Sequence, residues 1–190
     1  MRELSLHILD VAENSLRAGA SLVEILVEED IVQNKVIIKI LDNGCGMEQE
    51  YAAKVLDPFI TERTTRTVGL GLPMFAAIAT HCSGHLQLNS EPNIGTEVLV
   101  EMERDNIDRP PIGDMASTIV SLLCHDNPAD ILYRRVVEKD EFIFDTRELK
   151  KQLEDIPLTE PSVLNWIREY IFEKEDYYQR KGASDNEINS

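Results

Sequence analysis

The sequence predicts an α+β fold in which a sheet carries helices on one face. Helical periodicity over residues 3–18 and about 70–82 is mixed with two-residue strand alternation. The strand patterns come as adjacent pairs, and turn residues sit between the members of each pair.

In chain order, residues 3–18 read as a helix. Leu4, Ile8, Val11 and Ser15 line one side, and Glu3, His7, Asp10 and Asn14 another stripe. "LVEILVEED" and "KVIIKILD" follow as strands joined by a polar turn around Gln33-Asn34. Asp42-Asn43-Gly44 ends the second strand in a turn that glycine permits. A short helix covers 48–56, a loop leads into the helix near 70–82, and Ser83-Gly84 stops it. "HLQLNSEP" and "TEVLVEMER" form a second hairpin around Asn93-Ile94-Gly95.

"DNIDRPPIGD" breaks both periodicities with its proline pair and marks a boundary. The expected organisation is therefore a unit over 1–104, a linker at 105–113, a small α+β region over 114–180 and a frayed tail at 181–190. The second region reads as a helix (114–124), a hairpin "YRRVVEKDEFIFD" and two helices with N-caps at Asp145-Thr146 and Thr159. Ile167, Tyr170 and Ile171 with Trp166 read as its core.

Composition narrows the function classes. Thirty-five acidic against 19 basic residues give a net charge of −16, which argues against broad binding to nucleic acid or anionic membrane. The N-terminus has no signal-peptide core, and the longest apolar run is about half of the ~20 residues that a membrane span needs. Cys45, Cys82 and Cys124 are odd in number and scattered, so no disulfide framework is expected, and a cytoplasmic location follows.

Three segments carry candidate chemistry. On the first helix, Asp10 can orient or deprotonate a water. Asn14 offers a neutral oxygen to a hard cation such as Mg²⁺, and Arg17 can meet phosphate oxygens. The same stripe also reads as a solvated helix face. In "LDNGCGM", Asp42 can accept from the exocyclic amine of adenine, where guanine would present a second acceptor; Gly44 and Gly46 allow close backbone approach. An Asp-Asn-Gly turn is the plain alternative. In "ITERTTRTVGLGLPM", Arg63, Arg66 and the threonines supply donors, and Gly69 and Gly71 precede a helix whose N-terminus favours anions. That stretch reads as a phosphate lid or as a solvated hinge. His81, Cys82 and His85 could form a soft-metal site, although their spacing matches no standard zinc pattern. His7 reads as a surface or supporting histidine and Cys45 as a small buried residue.

In order and spacing these segments resemble the Bergerat-fold (GHKL) ATPases: gyrase B, heat-shock chaperone ATPases, mismatch-repair ATPases, histidine kinases and anti-sigma-factor serine kinases. "LDVAENSLRAGAS" resembles the N box, "DNGCGM" the adenine-recognising G1 box, "DPFITERTTRTVGLGLPM" the lid and G2 box, and "SEPNIGTEVLVEMER" the terminal strand of the kinases. The resemblance spans about residues 1–104 and implies a two-layer α/β sandwich that binds ATP and Mg²⁺.

Carried over by position, it implies Asn14 as the Mg²⁺ ligand and Asp10, where the family often has Glu, at the water-activating position. Asp42 would hold adenine N6 over Gly44 and Gly46, supported by Thr96. Phe59 would pack behind the lid, Thr61 and Arg63 would approach the phosphates, and Gly69 and Gly71 would admit them. Arg17, Met47, Leu70 and Leu72 fall inside the same motifs and join the nucleotide-binding set.

No His-Glu phosphoacceptor motif occurs, and the N box begins near residue 3. The resemblance therefore implies a protein kinase or ATPase acting on a partner protein in trans, with a non-catalytic ATP/ADP sensor as the alternative. A homodimer is compatible with either. The tail segments "IDRPPIGDMASTI" and "EFIFDTREL" resemble small ATP-binding proteins encoded beside iron-hydrogenase and NADH-oxidising subunits. That likeness implies a redox or hydrogenase subunit as partner.

Overall fold

The computed structural model describes residues 3–56 and 71–188, with helix backbone alone from 183 onward. The elements run α1 (Leu4–Arg17), β1 (Leu22–Asp30), β2 (Lys35–Asp42), α2 (Gln49–Val55), α3 (Gly71–His81), β3 (His85–Glu91) and β4 (Gly95–Glu103). They continue with α4 (Met115–Leu123), β5 (Asp130–Val137), β6 (Asp140–Asp145), α5 (Thr146–Leu153) and α6 (Pro161–Ile188).

The strands form one six-stranded sheet in the order β3-β4-β2-β1-β5-β6. All neighbours are antiparallel except β1 and β5. Two-residue alternation decides which face is buried. The register places Ile25 opposite Ile40, Ile40 opposite Val98 and Ile25 opposite Tyr133, so the apolar side chains share the face that the helices cover. The other face carries charged pairs such as Lys39 with Glu97 and Lys35 with Glu101.

Leu4, Ile8, Val11, Ala12 and Leu16 of α1 belong to the core cluster, and that cluster also takes in Ile119 of α4 and Ile167 and Ile171 of α6. The expected sandwich of helices on one sheet face is therefore present.

The small α+β region expected over 114–180 joins the sheet of the first unit. Val23 of β1 pairs with Ile131 of β5, so β5 and β6 extend the same sheet, and one core cluster takes in residues from both halves of the described chain. The segment 105–113 is built into that body. Pro111 and Ile112 carbonyls accept from Leu4 N (2.9 Å) and Ser5 N (2.7 Å), satisfying N–H groups that the first turn of α1 leaves open. Glu3, the N-cap of α1, makes no capping bond with its side chain.

The frayed tail expected from 181 is likewise replaced, at least to Ile188, by the continuation of α6, where Arg104 donates to the Gly182 carbonyl. Asp145 caps α5 by accepting from Arg147 N (2.8 Å), but α6 starts at Pro161, so Glu160 and not Thr159 precedes its first residue. Proline suits a first helical position because its missing N–H would have no partner there. In the tail core Ile167 and Ile171 are fully buried, whereas Trp166 is half exposed and stacks on Tyr170.

Candidate functional site

Where α1 ends beside the C-terminal end of β2, a cleft of about 420 Å³ opens. Val11, Ile40, Met47, Leu72 and Val98 give it apolar walls, and Asn14, Ser15, Arg17, Asp42, Glu48, Tyr51 and Thr96 add polar groups. Such a cavity, mostly apolar with a few convergent polar atoms, suits a flat ligand with a polar edge.

Asp42 is 8% exposed, and both of its oxygens are held. Oδ2 accepts from the Ser15 hydroxyl (2.6 Å) and Oδ1 from the Gly44 backbone N–H (2.9 Å). The first length is that of a charge-assisted bond. No cation pairs with Asp42 among the described residues, so its remaining acceptor capacity is left for a ligand.

The turn after Asp42 is pinned from two sides. Cys45 N donates to the Ala18 carbonyl (3.0 Å), and Asn93 N donates to the Cys45 carbonyl (2.7 Å). Gly46 lies at φ +62°, and a Cβ there would stand 2.0 Å from the Glu91 carbonyl oxygen, so only glycine fits. Gly44 is close-packed as well: an added Cβ would meet the Ala18 carbonyl at 3.0 Å and Asp42 Oδ1 at 3.1 Å. Asn43 takes no part in the cleft; its Oδ1 accepts from Ser21 N (2.9 Å) and Leu22 N (3.0 Å) and ties the turn to β1.

Thr96 is the register partner of Asp42 on β4. Its hydroxyl lies 2.9 Å from that of Ser90, which also accepts from Met47 N (2.9 Å). Thr96 therefore braces the wall beside Asp42 through Ser90.

On α1, Asn14 faces the cleft, and its Oδ1 accepts from Arg17 Nη1 (3.2 Å) while Arg17 also pairs with Glu13. Asp10 is exposed one turn earlier, outside the cleft lining, against the first residue of α3. A Cβ on Gly71 would lie 2.8 Å from Asp10 Cβ and 3.4 Å from Oδ2. Partial desolvation first, and Glu13 second, raise the Asp10 carboxyl above its ordinary value, while Arg17 opposes them. Phe59, Thr61, Arg63, Gly69 and Leu70 lie outside the described residues.

Three sequence expectations change. His7 is fully buried between α1 and α3, stacked on Phe75 with ring centroids 5.3 Å apart, and neither ring nitrogen has a hydrogen-bond partner. Burial lowers its pKa, so the ring is a neutral core group. Cys45 is exposed at the cleft instead of buried: its backbone N–H and carbonyl are both tied to the body, at Ala18 and Asn93, and its side chain stands on the surface. Cys82 is buried, and burial raises its thiol pKa, which disfavours the thiolate that a soft metal needs. Among the described residues no three His, Cys, Asp or Glu gather to hold a metal.

Sequence reasoning missed Ser15, Ser90, Glu48 and Tyr51. Ser15 carried a partial signal: a hydroxyl on the apolar stripe of a buried helix needs a partner, although the sequence does not say which.

Asp42 and Asn14 line one cleft, and both fall within a family match. Residues 2–106 match the family described as Histidine kinase-, DNA gyrase B-, and HSP90-like ATPase. Sporulation kinase D of Bacillus subtilis (strain 168) is 34% identical over 95 residues, which cover 50% of this chain and 19% of that protein. DNA mismatch repair protein MutL of Gemmatimonas aurantiaca is 28% identical over 139 residues, 67% of this chain and 22% of that one. The chain thus spans about a fifth of the length of these relatives. A crystal structure of the N-terminal domain of a DNA repair protein aligns with 74% of this chain and 51% of its own, at 16% identity and a TM-score of 0.49. Among the described residues no helix is long and apolar enough to cross a membrane. With a match over more than half of its length, the chain belongs to the histidine kinase-, DNA gyrase B- and HSP90-like ATPase family.

Proposed function

We propose that the protein binds ATP with Mg²⁺ in this cleft and acts as a regulatory protein kinase or ATPase on a partner protein in trans. The carrying observation is the buried Asp42 carboxylate, fixed at both oxygens at the base of an apolar cleft and without a counter-cation among the described residues. A fixed acceptor there suits the adenine amine and repels the guanine carbonyl.

The residues present fit the metal. Asn14 lines the cleft, and its amide oxygen, which accepts one bond from Arg17, is a hard neutral donor with a second lone pair; one such ligand suffices when phosphates and waters complete an octahedron. Bound there, Mg²⁺ would neutralise charge on the phosphate oxygens. Asp10, with its raised basicity, takes the proton from the attacking water or partner hydroxyl. As that oxygen bonds to the γ-phosphorus, the bond to the β–γ bridging oxygen breaks and ADP leaves. The partner class is a protein, and the redox subunit suggested by the tail segments is the first candidate.

Incubation with γ-labelled ATP and Mg²⁺ is the test. Release of labelled phosphate, or labelling of a co-purified partner, supports the reading; firm binding with neither supports a sensor. The position of Asp10 outside the cleft lining favours that second reading.

Asp10→Asn is expected to lower turnover by roughly 10²–10⁴-fold while ATP affinity changes little, since the lost group works on the proton alone. Unchanged turnover would remove Asp10 from the mechanism. Ser15→Ala is expected to weaken ATP binding by roughly tenfold, because Asp42 Oδ2 loses its buried donor and the carboxylate is no longer held in line. Calorimetric titration reads this directly. Ser15→Thr, which keeps the hydroxyl, should restore most of the affinity.

A further inference from the structure

α1 joins two cavities. Asn14, Ser15 and Arg17 near its C-terminal end line the cleft, and Glu3 at its N-cap lines a second cavity of about 510 Å³. The charged groups of the second cavity are Glu3, Glu29, Arg104, Arg109, Asp114, Glu175 and Asp176, with Phe172 of α6 as an apolar wall; Glu29 pairs with Arg104, and Asp176 with Arg180.

The charged groups there are unevenly satisfied. Arg109 donates through Nε to the Arg104 carbonyl and through Nη1 to the Pro110 carbonyl (3.2 Å), but it makes no ion pair among the described residues. Glu3 Oε2 accepts only long bonds, from Ser5 Oγ (3.3 Å) and Asp114 N (3.4 Å). Asp114 caps α4 through Ser117 N (2.8 Å), and neither it nor Glu3 meets a cation among the described residues. Glu175 is 4% exposed, and its Oε2 accepts no hydrogen bond; Arg135 Nε stands 3.4 Å away without forming one.

We propose that this cavity is a second ligand site, for a small zwitterion of the α-amino-acid type. Its carboxylate pairs with Arg109, its ammonium with Glu3 and Asp114, and its side chain packs along Phe172. A simple anion would meet Glu3 and Asp114 as like charges, and a simple cation would meet Arg109. Only a molecule carrying both charges satisfies both ends. Burial, the dominant cause, lowers the pKa of Arg109, although Glu29 opposes it. The volume is ample for an amino acid, since ligand cavities commonly run from about 300 to 1,000 Å³.

The test titrates the full chain calorimetrically with each of the twenty standard L-amino acids. For any that bind, the matching amine without the carboxylate and the N-acetylated acid are run in parallel. At least one amino acid is expected to bind, and both truncated forms to bind roughly tenfold or more weakly, as does the amino acid to Arg109→Gln and to Glu3→Gln. Asp114→Asn keeps a capping oxygen for α4 and gives an independent variant, and cooperative thermal unfolding of each verifies the fold. If the folded wild-type chain binds none of the twenty, if either truncated form binds as well as the parent, or if binding survives these substitutions, the site does not exist as described.

Discussion

Asp42→Asn is expected to reduce ATP affinity by at least about 100-fold, with little change in thermal stability. The substitution keeps the shape and replaces one carboxylate oxygen by an amide NH₂. The Gly44 N–H can only donate, so the amide oxygen must stay on that side. The NH₂ then turns toward Ser15, whose hydroxyl can rotate to accept it. The fold keeps its local bonds, but the edge offered to the base becomes a donor facing the donor amine of adenine. A buried mismatch of that kind costs roughly 3 kcal/mol or more, which is the stated loss of affinity. Titration calorimetry of wild type and variant with ATP and Mg²⁺ decides it. An affinity within about threefold of wild type would mean that Asp42 does not read the base, and the assignment of this cleft to adenine would fall.

Much of this site was legible because its parts are local. The Asp-Asn-Gly turn, the helix stripe bearing Asp10 and Asn14, and the glycines at 44 and 46 each announce themselves by residue type within a few positions. The Ser15–Asp42 bond spans 27 residues, and no local pattern reveals such a pairing. The unity of the sheet was hidden for the same reason. β1 and β5 are more than a hundred residues apart, and the proline-bearing segment between them looks like a linker, although its carbonyls complete the first turn of α1. His7 misled because its spacing placed it with Asp10 and Asn14 on a polar stripe, whereas Phe75 of α3 covers the start of that stripe. Arg135 gave no sign either: a charged residue in a strand pattern reads as an outward position, yet it is fully buried.

Glu29→Gln is expected to destabilise the protein by about 3–5 kcal/mol at neutral pH, lowering the melting temperature by on the order of 10 °C. Glu29, at the end of β1, is 6% exposed and binds two buried guanidiniums. It pairs with Arg135, which is fully buried, and with Arg104 Nε at 3.2 Å. Arg135 also meets Glu175 Oε2 (3.4 Å), and Glu175 Oε1 accepts from the buried Tyr133 hydroxyl, so the cluster fastens α6 to β1, to β5 and to the residue that follows β4. Removing this carboxylate takes one counter-charge from each of two buried cations, leaving Arg135 with Glu175 and Arg104 with Asp105, which costs more than the pair was worth. Burial works against the ionised form of Glu29, but Arg135 and then Arg104 overcome it and hold the carboxyl below its ordinary value. A depressed folded pKa adds stability that is fully present above the unfolded value of about 4.3 and is lost as pH falls through the folded pKa. The gap between wild type and Glu29→Gln should therefore be widest near pH 7 and close progressively below about pH 4. Glu175 has the opposite sign. Burial, the dominant cause, raises its pKa, so whatever it adds is held below the unfolded value and fades as pH rises through the folded one. Glu175→Gln, which keeps an acceptor for Tyr133, should accordingly cost less than Glu29→Gln at pH 7. Melting curves of both variants between pH 3.5 and 8 read these signs. Equal melting temperatures for Glu29→Gln and wild type at neutral pH, or a gap that does not shrink in acid, would show that the cluster does not hold α6 to the sheet through charge.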